Sequence, residues 1–388
     1  MPVADVPLGT KCGNNPLGTV KARHERPINL GADYARLARI SLATRQTGSD
    51  SLRYILLGTW NGELDLDVKS TSASRPVKQL HETVQRLLDN ISDIVLGKRD
   101  VASLCMTAML AGEHILLEDV PGVGKTLLGK AIARSVNGEF RRIQFTPDLL
   151  PSDIIGSSIF KSSTSEFLFQ PGPVFGNFLL ADGINRSPPR TQSALLEAMS
   201  DQQVSVDGKT HSLPDPFMVI ATQNPFEFEG TYALPESQLD RFLLRISMGY
   251  PAREYEQKIL ANHRSGDPLE NVRPICDIDE IVEIRNAVRE VKFDDSISQY
   301  LLNVVAATRE TDELSYGVST RGALLWYRAC QAVAFIDGRN YVIPDDPRNL
   351  AVHVIAHRVQ VQGVMQGTQR QEVETIVRRI VSKIPLPT

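Results

Sequence analysis

The sequence is short of most features that mark a nucleic-acid-binding, disulfide-built or membrane-spanning protein. Aromatic residues make up 6% of its 388 positions and are not interleaved with a basic stripe, so the stacking platforms and cationic tracks that hold nucleic acids have no counterpart. Basic and acidic side chains number 42 and 46 and leave a formal charge of -4, which makes nucleic acid unlikely as a partner. The four cysteines, Cys12, Cys105, Cys276 and Cys330, stand far apart, with neither a Cys-x-x-Cys pair nor metal-ligand spacing. Free thiols in a reducing compartment are the simplest account. No apolar run approaches the roughly 20 residues that cross a bilayer, and no secretory signal opens the chain. A soluble cytoplasmic protein without membrane insertion is expected, long enough for two or three domains.

The character of the chain changes near residue 78. Before it, Gly, Pro, Ser, Thr and Asn are frequent, arginines are scattered, and no periodicity is sustained. Residues 1–78 therefore read as a poorly ordered extension. A translation start assigned too far upstream would explain it, with Val77 or Leu80 as later non-Met starts; an organelle transit peptide is the less favoured alternative. From Val77 onward, Leu80, Val84, Leu87, Leu88 and Ile91 recur at helical spacing, and a second helix is expected over Val101–Leu110. Four strand-like runs follow, at His114–Leu117, Arg142–Phe145, Phe178–Asp182 and Phe217–Thr222. Three of them are almost continuously apolar, as in a parallel sheet with helices on both faces. Beyond Tyr250-Pro251 the pattern is almost wholly helical, with helices expected over Glu254–Ala261, Ile278–Val291, Ile297–Arg309, Arg321–Ala334 and Val373–Ile384. An α/β nucleotide-binding domain over 79–250, followed by a helical domain over 251–388, is the expected architecture.

The most informative string is Pro121-Gly122-Val123-Gly124-Lys125-Thr126, set between an apolar strand and a helix. Glycines let backbone N–H groups curl around phosphate oxygens, and the helix that follows points its positive end at the same anion. Lys125 would reach the β- and γ-phosphates and the Thr126 hydroxyl would ligate Mg²⁺. The usual first glycine of such a loop is replaced here by Asp119. Downstream, Asn177–Asp182 is an apolar strand ending in an acid that suits the metal bridging the terminal phosphates. The next strand ends at Asn224, placed to orient water or sense the γ-phosphate. Arg241, in Leu234–Phe242, is badly placed for its own phosphate loop and suited to a neighbour's; a salt bridge to Asp240 is its ordinary alternative. Arg321 stands in the first turn of a later helix, where it would couple the nucleotide to the helical domain.

Together these strings resemble the MoxR family of AAA+ ATPases. The resemblance covers about residues 80–388. It is carried by Glu118–Thr126, Gln170–Phe175, Ile184–Met199, Ala221–Pro225 and Leu234–Phe242, and Asp119 is normal for the family. It implies a P-loop AAA+ module with a five-stranded parallel sheet and a helical lid, ATP and Mg²⁺ as cofactors, a hexameric ring, and chaperone-like activation of a protein client. A von Willebrand factor A domain protein is the implied partner. It assigns Lys125 and Thr126 to the phosphate loop, Asp182 to the metal, Asn224 to the sensor, Arg241 to the trans arginine and Arg321 to the lid sensor. Two inserts, Ile154–Phe169 and Gln203–Pro214, match hairpins that face the pore or the client in such rings.

One departure bears on catalysis. The family ends its third strand with Asp-Glu, and this chain has Asp182-Gly183. The glutamate polarises the attacking water, and losing a positioned general base costs on the order of 10²–10⁴ in rate. Gly183 has no side chain to substitute, so Glu118, Asp119, Glu227 or Glu229 would have to supply a carboxylate from elsewhere in the chain. ATP binding is expected to survive and hydrolysis to be impaired. The alternatives are an ATP-binding, poorly hydrolysing scaffold or switch and, less favoured, a DNA-remodelling ring.

Overall fold

In the computed structural model the described residues are 75–224, 230–263, 266–362 and 370–387. The expected N-terminal extension lies outside them up to residue 74, and the first helix begins at Val77, inside the stretch assigned to that extension.

The chain opens with helices α1 (Val77–Ile94) and α2 (Arg99–Ala111). The α/β part then runs β1 (Ile115–Glu118), α3 (Lys125–Ser135), β2 (Phe140–Gln144), α4 (Pro151–Ile155), β3 (Gly156–Lys161), β4 (Glu166–Pro171), β5 (Phe178–Asp182) and α5 (Pro189–Asp201). It ends with β6 (Gln203–Val206), β7 (Lys209–Ser212), β8 (Met218–Gln223), α6 (Glu236–Leu239) and β9 (Leu244–Ile246). The C-terminal part contains α7 (Arg253–His263), α8 (Ile278–Arg289), α9 (Asp295–Glu310), β10 (Leu314–Tyr316), α10 (Thr320–Ile336), α11 (Asp345–Ile355), β11 (Gln360–Val361) and α12 (Arg370–Lys383).

Five strands form one parallel sheet in the order β2-β5-β8-β1-β9. Its central strands are apolar throughout because both faces are covered. Alternate side chains enter different cores, as the period of two requires. Ile115, Leu117, Phe178, Leu180, Met218 and Ile220 join a core shared with α1, α2, α3 and the C-terminal helices. Leu116, Leu179, Ala181, Val219 and Ala221 join a second core with α5, Ile154 of α4 and Val204 of β6. The first of these cores is continuous from the sheet to Trp326 and Val377, so the α/β module and the lid are packed as one unit.

The helical part departs from expectation in two places. β10 and β11 pair antiparallel, and α11 was not anticipated. The two inserts are hairpins: β3 pairs with β4 and β6 with β7, both antiparallel. Phe169 of β4 stacks on His211 of β7 at 4.0 Å between ring centroids, tying one hairpin to the other. The three cysteines among the described residues, Cys105, Cys276 and Cys330, are buried and free. Among the described residues no helix is long and apolar enough to cross a membrane.

Candidate nucleotide site

The phosphate loop emerges from the end of β1 and turns into α3. Gly122 and Gly124 have φ of +85° and +97°, a left-handed conformation that a side chain resists. A Cβ on Gly122 would meet nothing within 4 Å, so backbone conformation rather than crowding requires glycine there. Gly124 is also the N-cap of α3 and offers no side-chain acceptor, so the first N–H groups of this 11-residue helix have no side-chain cap. The Lys125 ammonium donates to the Asp119 carbonyl at 2.9 Å, which holds its stem back along the loop.

Pro121, Gly122, Gly124, Lys125, Thr126, Asp182 and Asn224 line one cavity of about 530 Å³. All but one of the residues assigned to phosphate and metal from sequence are brought together there; Val123 does not line it and packs against the core instead. Asp182 lies at the end of β5, and both its oxygens are engaged. The Thr222 hydroxyl donates to Oδ1 at 2.7 Å while accepting from the Gly183 N–H at 2.9 Å, and Arg142 reaches Oδ2 at 2.6 Å. Partial burial pushes the Asp182 carboxyl up, but the hydrogen bonds from Arg142 and Thr222, with the charges of Arg142 and Lys125, hold it below the usual carboxylate range. A hydroxyl and an ionised carboxylate in one cavity are hard oxygen donors that suit Mg²⁺, which takes few protein ligands and completes its shell with phosphate and water. Thr126 and Asp182 would hold the metal; bound there, it would neutralise charge between the terminal phosphates.

Asp119 replaces the customary glycine for a visible reason. Its side chain is buried and accepts from the Val120 N–H, the Ser247 hydroxyl and the Met248 and Gly249 N–H groups. The root of the phosphate loop is thereby fastened to the segment that leads from β9 into the lid. Glu118, one residue earlier, is buried among Gln223, Arg245 at 3.5 Å and Arg370 of α12 at 3.4 Å. Neither acid lines the phosphate cavity, so neither is placed as a substitute base; Glu227 and Glu229 lie outside the described residues. Gly183 itself lines the cavity.

Arg241 and Arg321 lie elsewhere. Both line a second cavity, of about 410 Å³, that shares no lining residue with the first. Arg285, Arg289 and Arg328 also line it, with Glu113 and Asp215 as the acids. Arg241 donates to the Leu196 carbonyl and the Ser200 hydroxyl of α5. Asp240 forms no ion pair with it. That carboxylate instead holds Arg358 at 3.0 Å and accepts from Ser319, whose hydroxyl also caps α10. The turn bearing Arg241 and the helix start bearing Arg321 are thus clamped to one acid.

Sequence reasoning missed Arg142, Thr222 and Arg186 as cavity residues. For Arg142 the available signal was a charged residue on a polar edge strand that ends beside Asp182.

Residues 114–244 match the family model for the ATPase family associated with various cellular activities (AAA), and residues 306–380 match the AAA lid domain. Chaperone MoxR1 of Mycobacterium tuberculosis is 38% identical over 314 residues, covering 79% of this chain and 82% of the relative. The chain belongs to the MoxR family of AAA+ ATPases. The uncharacterised protein YeaC of Bacillus subtilis is 46% identical over 312 residues, covering 80% of this chain and 97% of the relative. A crystal structure from Cytophaga hutchinsonii, described as that of a candidate ATPase, superposes with a TM-score of 0.74 at 36% identity, covering 80% of this chain and 97% of the other. The AAA+ module and lid of the MoxR family therefore account for most of the described residues.

Proposed function

We propose that this MoxR-family protein binds Mg·ATP in the cavity of Lys125, Thr126, Asp182 and Asn224 and uses that binding to remodel or activate a protein client. The convergence of those four side chains in one cavity carries the reading. Family membership supports ATPase chemistry and action on a client. Arg241 occupies a separate cavity, which supports a trans role: it would complete the site of a neighbouring copy, as in a hexameric ring. Arg321 lines the same second cavity and not that of Lys125, so the lid-sensor role expected for it finds no support in the cavity lining. A von Willebrand factor A domain partner is what the family resemblance implies, and the cytoplasm as the place of action rests on the free cysteines. The β3–β4 hairpin exposes Ile159, Phe160, Phe167 and Leu168 near its turn, which suits contact with a client.

Gly183 favours a second reading. Among the described residues no carboxylate other than Asp182 lines the phosphate cavity, so ATP would be bound and slowly turned over, and the protein would act as a nucleotide-dependent scaffold or switch. The deciding experiment measures Mg·ATP affinity, steady-state phosphate release and particle mass with and without ATP on the full chain. Micromolar binding with ATP-dependent assembly supports the proposal, and the turnover rate chooses between motor and switch. A monomer that binds no ATP refutes both.

A further inference from the structure

Arg142 stands in the phosphate cavity without a part in the family's assignment of roles. It lies on edge strand β2, whose Gln144 is paired with Asp182 across the sheet. Its guanidinium reaches forward to donate to Gln144 Oε1 at 2.8 Å and to Asp182 Oδ2 at 2.6 Å. The pair it makes there is unlike the buried ion pairs of this molecule and is as open as its surface pairs. Arg358 and Arg285 are almost wholly buried, with 1% and 7% of the side chain exposed, whereas Arg142 is 46% exposed. An ion pair screened to that degree contributes little to stability and is readily exchanged. The carboxylate it occupies is also the only one in the described lining of the cavity that a phosphate-bridging cation can use.

We infer that Arg142 reads the terminal phosphate. Held on Asp182 here, it exchanges that carboxylate for the γ-phosphate on loading with Mg²⁺-nucleotide. A metal held by Asp182 would draw on the same carboxylate charge that holds the guanidinium, and so would weaken the Arg142 pair. The anion then offered to it within the same cavity would be the phosphate chain. Arg142 is then a specificity-determining residue that favours a nucleoside triphosphate over a diphosphate. The assignment rests on the Mg·ATP reading of the cavity.

The test is calorimetric titration of the full chain with ADP and with the non-hydrolysable β,γ-imido analogue of ATP, both in Mg²⁺, for wild type, Arg142→Gln and Arg142→Lys. A charge-assisted hydrogen bond to phosphate corresponds to on the order of tenfold in affinity. Arg142→Gln should therefore lose about tenfold for the triphosphate and less than twofold for ADP, with Arg142→Lys recovering part of the loss. Melting midpoints without nucleotide should agree among the three chains; if Arg142→Gln melts early, the triphosphate-to-ADP ratio of Arg142→Lys decides. Equal weakening of both nucleotides means that Arg142 only orders Asp182, and overturns the inference, as does an unchanged ratio. A wild-type chain that binds neither nucleotide fails at the premise, a result distinct from an unchanged ratio in chains that bind both.

Discussion

Replacing Gly183 tests whether the missing carboxylate limits turnover, and the structure supplies the control. Gly183 has φ of +73°, and its N–H donates to Thr222. A side chain in that left-handed conformation costs about 1 kcal/mol. A Cβ would approach Arg186 Cδ at 3.2 Å, a contact relieved by a small shift of a flexible side chain. Gly183→Ala and Gly183→Glu should therefore lose stability alike, by about 1 kcal/mol, and melt a few degrees lower. Only the glutamate adds a base. Emerging beside Asp182, it should raise phosphate release at saturating Mg·ATP by on the order of 10²–10⁴ over both wild type and Gly183→Ala. That range corresponds to about 3–5 kcal/mol of barrier, several times the strain it must overcome. The assay is steady-state phosphate release beside nucleotide affinity for the three chains. A Gly183→Glu protein that binds ATP normally yet turns over no faster than Gly183→Ala refutes the reasoning.

Two further perturbations probe the scaffold. Asp240→Ala leaves the Arg358 guanidinium, 1% exposed, without its carboxylate at 3.0 Å; an uncompensated buried charge of this kind costs about 3 kcal/mol, so the urea midpoint should fall sharply, and a change below about 1 kcal/mol would show that the carbonyls around Arg358 suffice. His114 is buried, accepts from the Val219 N–H at 3.0 Å and lies 3.1 Å from the Met199 carbonyl, and burial pushes its pKa down to about 4. Its folded value lies below its unfolded value, so the stability it contributes is complete above about pH 6.5 and is lost as pH falls toward 4. From pH 7 to pH 5 the loss is about 2 kcal/mol, and His114→Gln should flatten the wild-type slope of urea stability against pH by about 1.4 kcal/mol per unit. Parallel slopes for the two chains would rule out His114 as a contributor.

What the sequence revealed follows from how local each signal is. β5 was read with its observed ends because Phe178–Ala181 is apolar without a break and Asp182 closes it. β2 was placed two residues late, because an edge strand of Phe-Arg-Arg-Ile-Gln has one exposed side and no continuous run. β9, with three residues, is too short to show a period. α11 opens on Asp345-Asp346-Pro347, an acidic helix start with proline in the first turn, so a local signal for it was present. The phosphate loop was legible for the same reason as β5: its parts are consecutive. Arg142 and Thr222 were not, because their relation to Asp182 exists only once the order β2-β5-β8 sets three strand ends side by side.

Asp119 shows what that dependence on sheet order means for the site. By sequence it is a defect in a phosphate loop. In the sheet, β1 lies between β8 and β9, so its end faces Gln223 on one side and Ser247–Gly249 on the other. A glycine at 119 would leave the buried Met248 and the Gly249 N–H groups without their acceptor, a cost of about 1–3 kcal/mol for each such group, and would detach the loop from the strand that leads into the lid. Glu118 makes the matching connection to α12 through Arg370. The residues that open the phosphate loop thus serve the lid rather than the phosphates, which is why the loop tolerates an acid where most such loops have glycine. It also leaves neither acid free to act as a base beside Gly183: Asp119 is bound to the segment after β9, and Glu118 to Gln223, Arg245 and Arg370.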